Sequence, residues 1–110
     1  MQAAKAAFAK CIRTPAHQRA SWLNGAAAAM EKVAVELVEM TIAHIGKPRK
    51  AAEMEVKRSI AFVRACATHL HSLKGEVVPI DMVPAGAGLF GFTRRVPYGV
   101  VAAVTPFNAP

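Results

Sequence analysis

A chain of 110 residues is long enough for one domain and too short for two. Apolar types make up 54% and charged types 19%, which excludes intrinsic disorder, and no stretch approaches the roughly 18 apolar residues of a membrane span. Fourteen Lys and Arg against seven Asp and Glu give a formal charge of +7, which can favour anionic partners, yet the basic residues are spread out and cluster only at Lys47–Lys50 and Arg94-Arg95.

The first residues, Met1 to Lys5, lack the basic-then-apolar layout of a secretory signal, so the expected location is cytoplasmic. Gln2 to Lys10 are Ala-rich and helical, with Ala4, Ala7, Phe8 and Cys11 on one face. Thr14-Pro15 reads as a helix start, Thr as the cap and Pro in the first turn. Beyond it, Leu23, Ala26, Ala27, Met30, Ala34 and Leu37 recur at helical spacing, and one helix is expected up to Gly46-Lys47-Pro48. A further helix carries Ala52, Val56, Ile60, Val63, Ala67 and Leu70 as its buried stripe, with Glu53 and Lys57 as an i,i+4 pair, and closes at Lys74-Gly75.

From Glu76 the pattern changes. Val77 to Met82 reads as a short edge strand, Gly86 to Gly88 as a loop, and Leu89 to Val96 as a second strand alternating through Phe90, Phe92 and Arg94. Pro97-Tyr98-Gly99 is a turn, and Val100 to Val104 is apolar on both faces. A strand without alternation belongs in a parallel sheet covered on both sides, and parallel neighbours need crossovers of about a dozen residues. Only Thr105 to Pro110 follow, so the chain reads as ending in mid-domain.

Several chemical motifs dissolve on inspection. Gly86-Ala-Gly-Leu-Phe-Gly91 matches the dinucleotide pattern G-x-G-x-x-G, but β-prone residues and Pro97 follow where that mechanism needs a helix N-terminus. His69 and His71 point to different faces of a helix, and His17 and His44 have no partner at ligand spacing, so no metal site is expected. Cys11 and Cys66 stand alone and read as reduced, packed thiols. Nucleic acid and membrane are likewise not expected partners, since the seven aromatic residues offer no stacking platform. What stays is the apolar stretch Val100–Val104 running into Thr105-Pro106-Phe107-Asn108-Ala109-Pro110. In open α/β sheets ligands gather beyond the carboxyl ends of strands, and an Asn there has an amide able to donate to a developing oxyanion.

Arg95-Val-Pro-Tyr-Gly-Val-Val-Ala-Ala-Val-Thr-Pro-Phe-Asn-Ala-Pro110 resembles the R-x-P-x-G-V-x-x-x-I-x-P-(W/F)-N-x-P stretch of the NAD(P)-dependent aldehyde dehydrogenase superfamily. Ala7-Phe8, Arg19, Leu23, Gly46-Lys47-Pro48, Ala52, Glu55-Val56, Gly75 and Pro79 follow in that family's order. The resemblance corresponds to the family's N-terminal part and implies an α/β fold of three pieces. Residues 1–75 would be helices of the Rossmann-like cofactor domain, residues 76–98 a β-ribbon of the oligomerisation domain, and residues 99–110 the first strand of the dinucleotide fold and the start of the active-site loop. It further implies NAD or NADP as cofactor, a small aldehyde as substrate, and a homo-oligomer, dimer or tetramer, at full length.

In such enzymes a Cys thiolate attacks the aldehyde, hydride passes to the nicotinamide and water releases the acid. Asn108 would then be the catalytic oxyanion donor, and Thr105, Pro106, Phe107 and Asn108 would lie against the cofactor. The family's nucleophilic Cys and general-base Glu would lie downstream, so these residues alone are expected to be inactive. Ala109 stands where a large aromatic is common, which implies a wider channel mouth, and the pattern looks nearest to members acting on lactaldehyde or phosphonoacetaldehyde. The alternative from composition alone is a small basic helical module that holds an anionic partner on Lys47–Lys50 and Arg94-Arg95. Such a module has no use for the C-terminal strand.

Overall fold

The computed structural model describes residues 1–109. Four helices come first: α1 (Gln2–Cys11), α2 (Ala16–Lys32), α3 (Ala34–Ile45) and α4 (Arg49–His69). A 3-10 turn at Leu70–Ser72 continues α4, and a two-stranded antiparallel ribbon follows, β1 (Val77–Val78) with β2 (Gly91–Phe92). Two further 3-10 turns, Ile80–Met82 and Pro84–Gly86, lie between the strands. No helix among the described residues is long and apolar enough to cross a membrane.

The core follows from the helical stripes. Ala27 of α2, Val38 of α3 and Ala52, Val56 and Ile60 of α4 are buried against one another, with Met30, Ala34, Leu37, Ile42 and Val63 packed around them. Small Ala27 and Ala52 are fully buried, which lets the backbones of α2 and α4 approach closely. Outside this cluster Ala67 is buried, while Leu70 stays half-exposed at the end of the stripe.

Where one helix was expected from Pro15 to Gly46 there are two. Val33, with φ −110° and ψ 19°, leaves the helical basin and separates α2 from α3. The cause is tertiary. A straight rod of that length would run about 45 Å, whereas α4 offers about 32 Å of partner, and the break lets both halves pack on it. At the helix starts, Pro15 rather than Thr14 occupies the cap of α2, its carbonyl accepting from the Arg19 amide at 3.2 Å. Thr14 sits one residue too early to cap, and its amide closes the turn after α1 on the Cys11 carbonyl at 3.0 Å. Gly46 adopts the left-handed φ of 66° that ends α3, and the Pro48 carbonyl accepts from the Ala51 and Ala52 amides to open α4.

The ribbon is shorter than its sequence pattern. Val77 pairs with Phe92 and Val78 with Gly91, and Pro79, which has no amide to donate, ends the ladder in favour of the turn Ile80–Met82. The Thr93 amide donates to the Glu76 carbonyl at 2.8 Å, and the Glu76 amide to Thr93 Oγ1 at 2.9 Å. Gly75 permits this approach, since a methyl group there would run into the Thr93 carbonyl. Phe90 and Phe92 do share a face, their rings 6.2 Å apart. The strand expected at Val100–Val104 is not formed among the described residues: it has no neighbour to complete a ladder, and Val101 and Val104 are exposed.

Candidate functional site

Gly86 to Gly91 settles one motif. Gly91 enters β2 instead of a helix, so the G-x-G-x-x-G pattern supplies no helix N-terminus for a pyrophosphate. The four histidines fare no better, because no group of three or more His, Cys, Asp and Glu stands together among the described residues. Cys11 is exposed and Cys66 half-buried, both as free thiols. Two of the three cations in the basic cluster at residues 47–50 are paired within the chain. Lys47 pairs with Glu55, and Arg49 grips Glu39 with both terminal nitrogens, at 2.6 and 3.1 Å. That fork holds the exposed Glu39 carboxyl below its usual range, mainly through the hydrogen bond from Arg49. Arg64 likewise pairs with Glu31, whereas the expected Glu53–Lys57 pair is not among the ion pairs of the described residues. Both residues instead line an open groove between α3 and α4, where Arg49 and Arg64, the cations facing Glu53 and Glu31, are also found.

The remaining candidate is the C-terminal segment. Pro106 to Ala109 forms a turn closed by the Ala109 amide on the Pro106 carbonyl at 3.1 Å. Phe107 and Asn108 are its two corners, and Asn suits the second. The turn is docked on the helices at two points. Phe107, although 80% exposed, forms one wall of a cleft of about 550 Å³ that is otherwise lined by α2, α3 and α4, including Met30, Leu37, Thr41 and His44. Lys47 Nζ donates to the backbone carbonyl of Asn108 at 2.8 Å. Asn108 itself is exposed, and the bond from Lys47 takes its carbonyl rather than its carboxamide.

Thr105 leads directly into the exposed turn that carries Pro106, Phe107 and Asn108. Pro110, the last residue of the motif, lies outside the described residues. The sequence reading placed Lys47 in a basic cluster and a helix stop and Glu55 among the family-like residues, but did not pair them. Their ion pair is mostly buried, with side-chain exposures of 17% and 13%. The available signal was a pair of opposite charges 8 positions apart on either side of the start of α4: Gly46 turns the chain, Pro48 opens α4, and Glu55 returns on the same side.

A nicotinamide nucleotide would ask two things of this chain, a polar edge for its ring and a cradle for its pyrophosphate. The turn offers the first: a hydroxyl at Thr105, an exposed aromatic face at Phe107 and an exposed carboxamide at Asn108. The loop Gly86–Gly91 does not offer the second. The segment fits the ring end of such a group.

Comparison with known proteins gives a consistent picture. The sequence profile described as "Aldehyde dehydrogenase family" matches residues 1–110. Aspartate-semialdehyde dehydrogenase 1 of Pseudomonas canavaninivorans is 35% identical over 100 residues, covering 91% of this chain and 21% of that protein. A 3-sulfolactaldehyde dehydrogenase of Priestia aryabhattai is 36% identical over 75 residues, 68% of this chain and 16% of the relative. Among solved structures, an NAD-dependent benzaldehyde dehydrogenase from Corynebacterium glutamicum superposes with a TM-score of 0.65 at 29% identity, over 71% of this chain and 17% of that one. The chain thus spans about a fifth of the length of the curated relatives it matches.

Proposed function

The chain belongs to the aldehyde dehydrogenase family, and from that premise we propose that it works as the N-terminal part of a longer nicotinamide-dependent enzyme oxidising an aldehyde to a carboxylic acid. The observation that carries this reading is the docked turn Pro106–Ala109, which presents the exposed Asn108 beside a cleft lined by three helices. In that enzyme a thiolate from another part of the polypeptide adds to the aldehyde carbon, and the carbonyl oxygen gathers negative charge. The Asn108 carboxamide donates an N–H to that oxygen. A fixed donor of this kind costs no reorganisation as the charge develops, and losing one costs about 3–4 kcal/mol of barrier. Bound nicotinamide supplies the oxidant. Thr105, Pro106, Phe107 and Asn108 line its ring end, and both NAD and NADP are compatible with these four residues.

The substrate class is part of the same proposal. The two curated relatives just described act, by name, on aldehydes that carry an acidic group, whereas the solved neighbour is named for the uncharged benzaldehyde, and this chain is positively charged at +7. A small polar aldehyde such as lactaldehyde or phosphonoacetaldehyde fits the reading, with Ala109 leaving the channel mouth wide. The division into residues 1–75, 76–98 and 99–110, with the ribbon serving subunit assembly, is part of the same proposal. So is the placement in the cytoplasm.

Spectrophotometric assay of the complete enzyme against a panel of small aldehydes, with NAD and with NADP, tests the reading. Aldehyde-dependent reduction of one nucleotide is expected, with none by the 110-residue chain alone. A complete enzyme that reduces neither nucleotide with any aldehyde refutes it, and turnover by the isolated chain refutes the assignment of the nucleophile to another part of the polypeptide.

A further inference from the structure

An oxyanion donor is useful only if it is held where the oxygen will be, and Asn108 sits on an exposed turn joined to the helices at two points. One is the Phe107 ring, itself 80% exposed, which fixes a plane loosely. The other is the bond from Lys47 Nζ to the Asn108 carbonyl, 2.8 Å long and spanning 61 positions of sequence. A lysine head group on a four-carbon stem is ordinarily a mobile anchor. This one is not free to move. Its ammonium is also bonded to Glu55 Oε2, both side chains are mostly buried, and Glu55 stands on the second turn of α4, one position before the core residue Val56. The stem is short-tethered as well, because Lys47 is clamped between the left-handed Gly46 and Pro48. Two of the three ammonium protons are thereby assigned, one to the core helix and one to the backbone of the donor residue.

Resting on the reading of Asn108 given above, we propose that Lys47, held by Glu55, is a positioning residue for oxyanion stabilisation: it transmits the fixed geometry of α4 to the Asn108 backbone and so sets where the carboxamide points. Lys47 need not touch the aldehyde or the nucleotide for this. The pair acts as a strut between the helical core and the turn. An error of about 1 Å in such a donor is enough to cost on the order of a hundredfold in rate, so releasing one of two anchors should be visible in kcat.

A double-mutant cycle in the complete enzyme separates positioning from general stability. Lys47→Met keeps the stem and removes the donors. It is expected to lower kcat about tenfold, with KM for aldehyde and nucleotide changed less than about twofold. In an Asn108→Ala background, where there is no carboxamide left to position, the same substitution should lower the residual kcat by less than about twofold. Lys47→Arg, which keeps a cation able to bridge both oxygens, should recover most of the loss. Equal losses in both backgrounds, or a Lys47→Met enzyme with wild-type kcat, would overturn the proposal. Should Lys47→Met fail to fold, Glu55→Gln is put through the same cycle: a loss of about threefold that vanishes in the Asn108→Ala background supports the strut, and equal losses reject it. Failure of the underlying reading shows itself separately, as a wild-type enzyme that oxidises no aldehyde.

Discussion

At the scale of single residues, three positions have consequences that can be measured. Gly46 holds a φ of 66°, a conformation that costs an L-residue about 1–2 kcal/mol, so Gly46→Ala should lower the urea midpoint of the complete enzyme accordingly. Ile60 lies in the core cluster, and Ile60→Ala should cost about 2–4 kcal/mol by the same measurement. Glu39 is held ionised by the Arg49 fork, so its contribution to stability is present above the ordinary carboxylate range and is lost as pH falls through its depressed folded value. Glu39→Gln should therefore be less stable than wild type at neutral pH, with the difference shrinking in acid. A pH series of unfolding midpoints in which the gap stays constant contradicts this assignment. Legibility at this scale was uneven. Gly46 could be read from the G-K-P triplet, because a glycine followed closely by proline has few other uses at a helix end. The Lys47–Glu55 strut could not, since its partner atom is a backbone carbonyl 61 residues away, and no local spacing encodes that.

Among the elements, the helical stripes were legible because they obey a period fixed by the backbone. Ala52, Val56, Ile60 and Ala67 are buried as the spacing requires. The break at Val33 was not, because neither Gly nor Pro marks it, and it arises from the finite length of α4. Strand lengths were overestimated for a related reason: periodicity reports which face an extended segment would bury, while a ladder also needs an amide at each step and a neighbour to receive it. Pro79 denies the first and Val100–Val104 lacks the second. The ribbon depends on the close passage of Gly75 by Thr93. Gly75→Ala should therefore speed hydrogen exchange of the Thr93 amide by roughly tenfold or more while leaving the α4 amides unchanged. Uniform exchange rates across both elements would show that the ribbon is not built on that contact.

For the whole molecule, a packed chain of this length has a radius of gyration of about 13 Å, against the observed 20.1 Å and extents of 64 × 30 × 25 Å. Among the described residues six apolar side chains are buried, while Phe62, Val77, Phe90, Phe92, Val96, Tyr98, Val101 and Val104 are among those that face outward. Under the proposal that the chain is part of a longer polypeptide, these faces are where the rest of that polypeptide would pack. The 110-residue chain by itself should bind a hydrophobic dye and unfold without a sharp transition, as calorimetry would record; a cooperative transition with no dye binding would mean that these faces need no partner. The order of helices followed by a short ribbon was legible from the helical stripes and from the change of pattern at Glu76, whereas the strand expected at Val100–Val104 is not formed among the described residues. The way the last turn docks on the helices was not legible, because it depends on contacts between the end of the sequence and its middle.

The central claim is that Asn108 stabilises the oxyanion formed during aldehyde oxidation, and the most direct measurement is the steady-state kcat of the complete enzyme with and without its carboxamide. Asn108→Ala should lower kcat by about 10²–10³-fold with the KM for nucleotide little changed, as for loss of a single oxyanion donor. An Asn108→Ala enzyme that turns over at the wild-type rate would contradict the assignment.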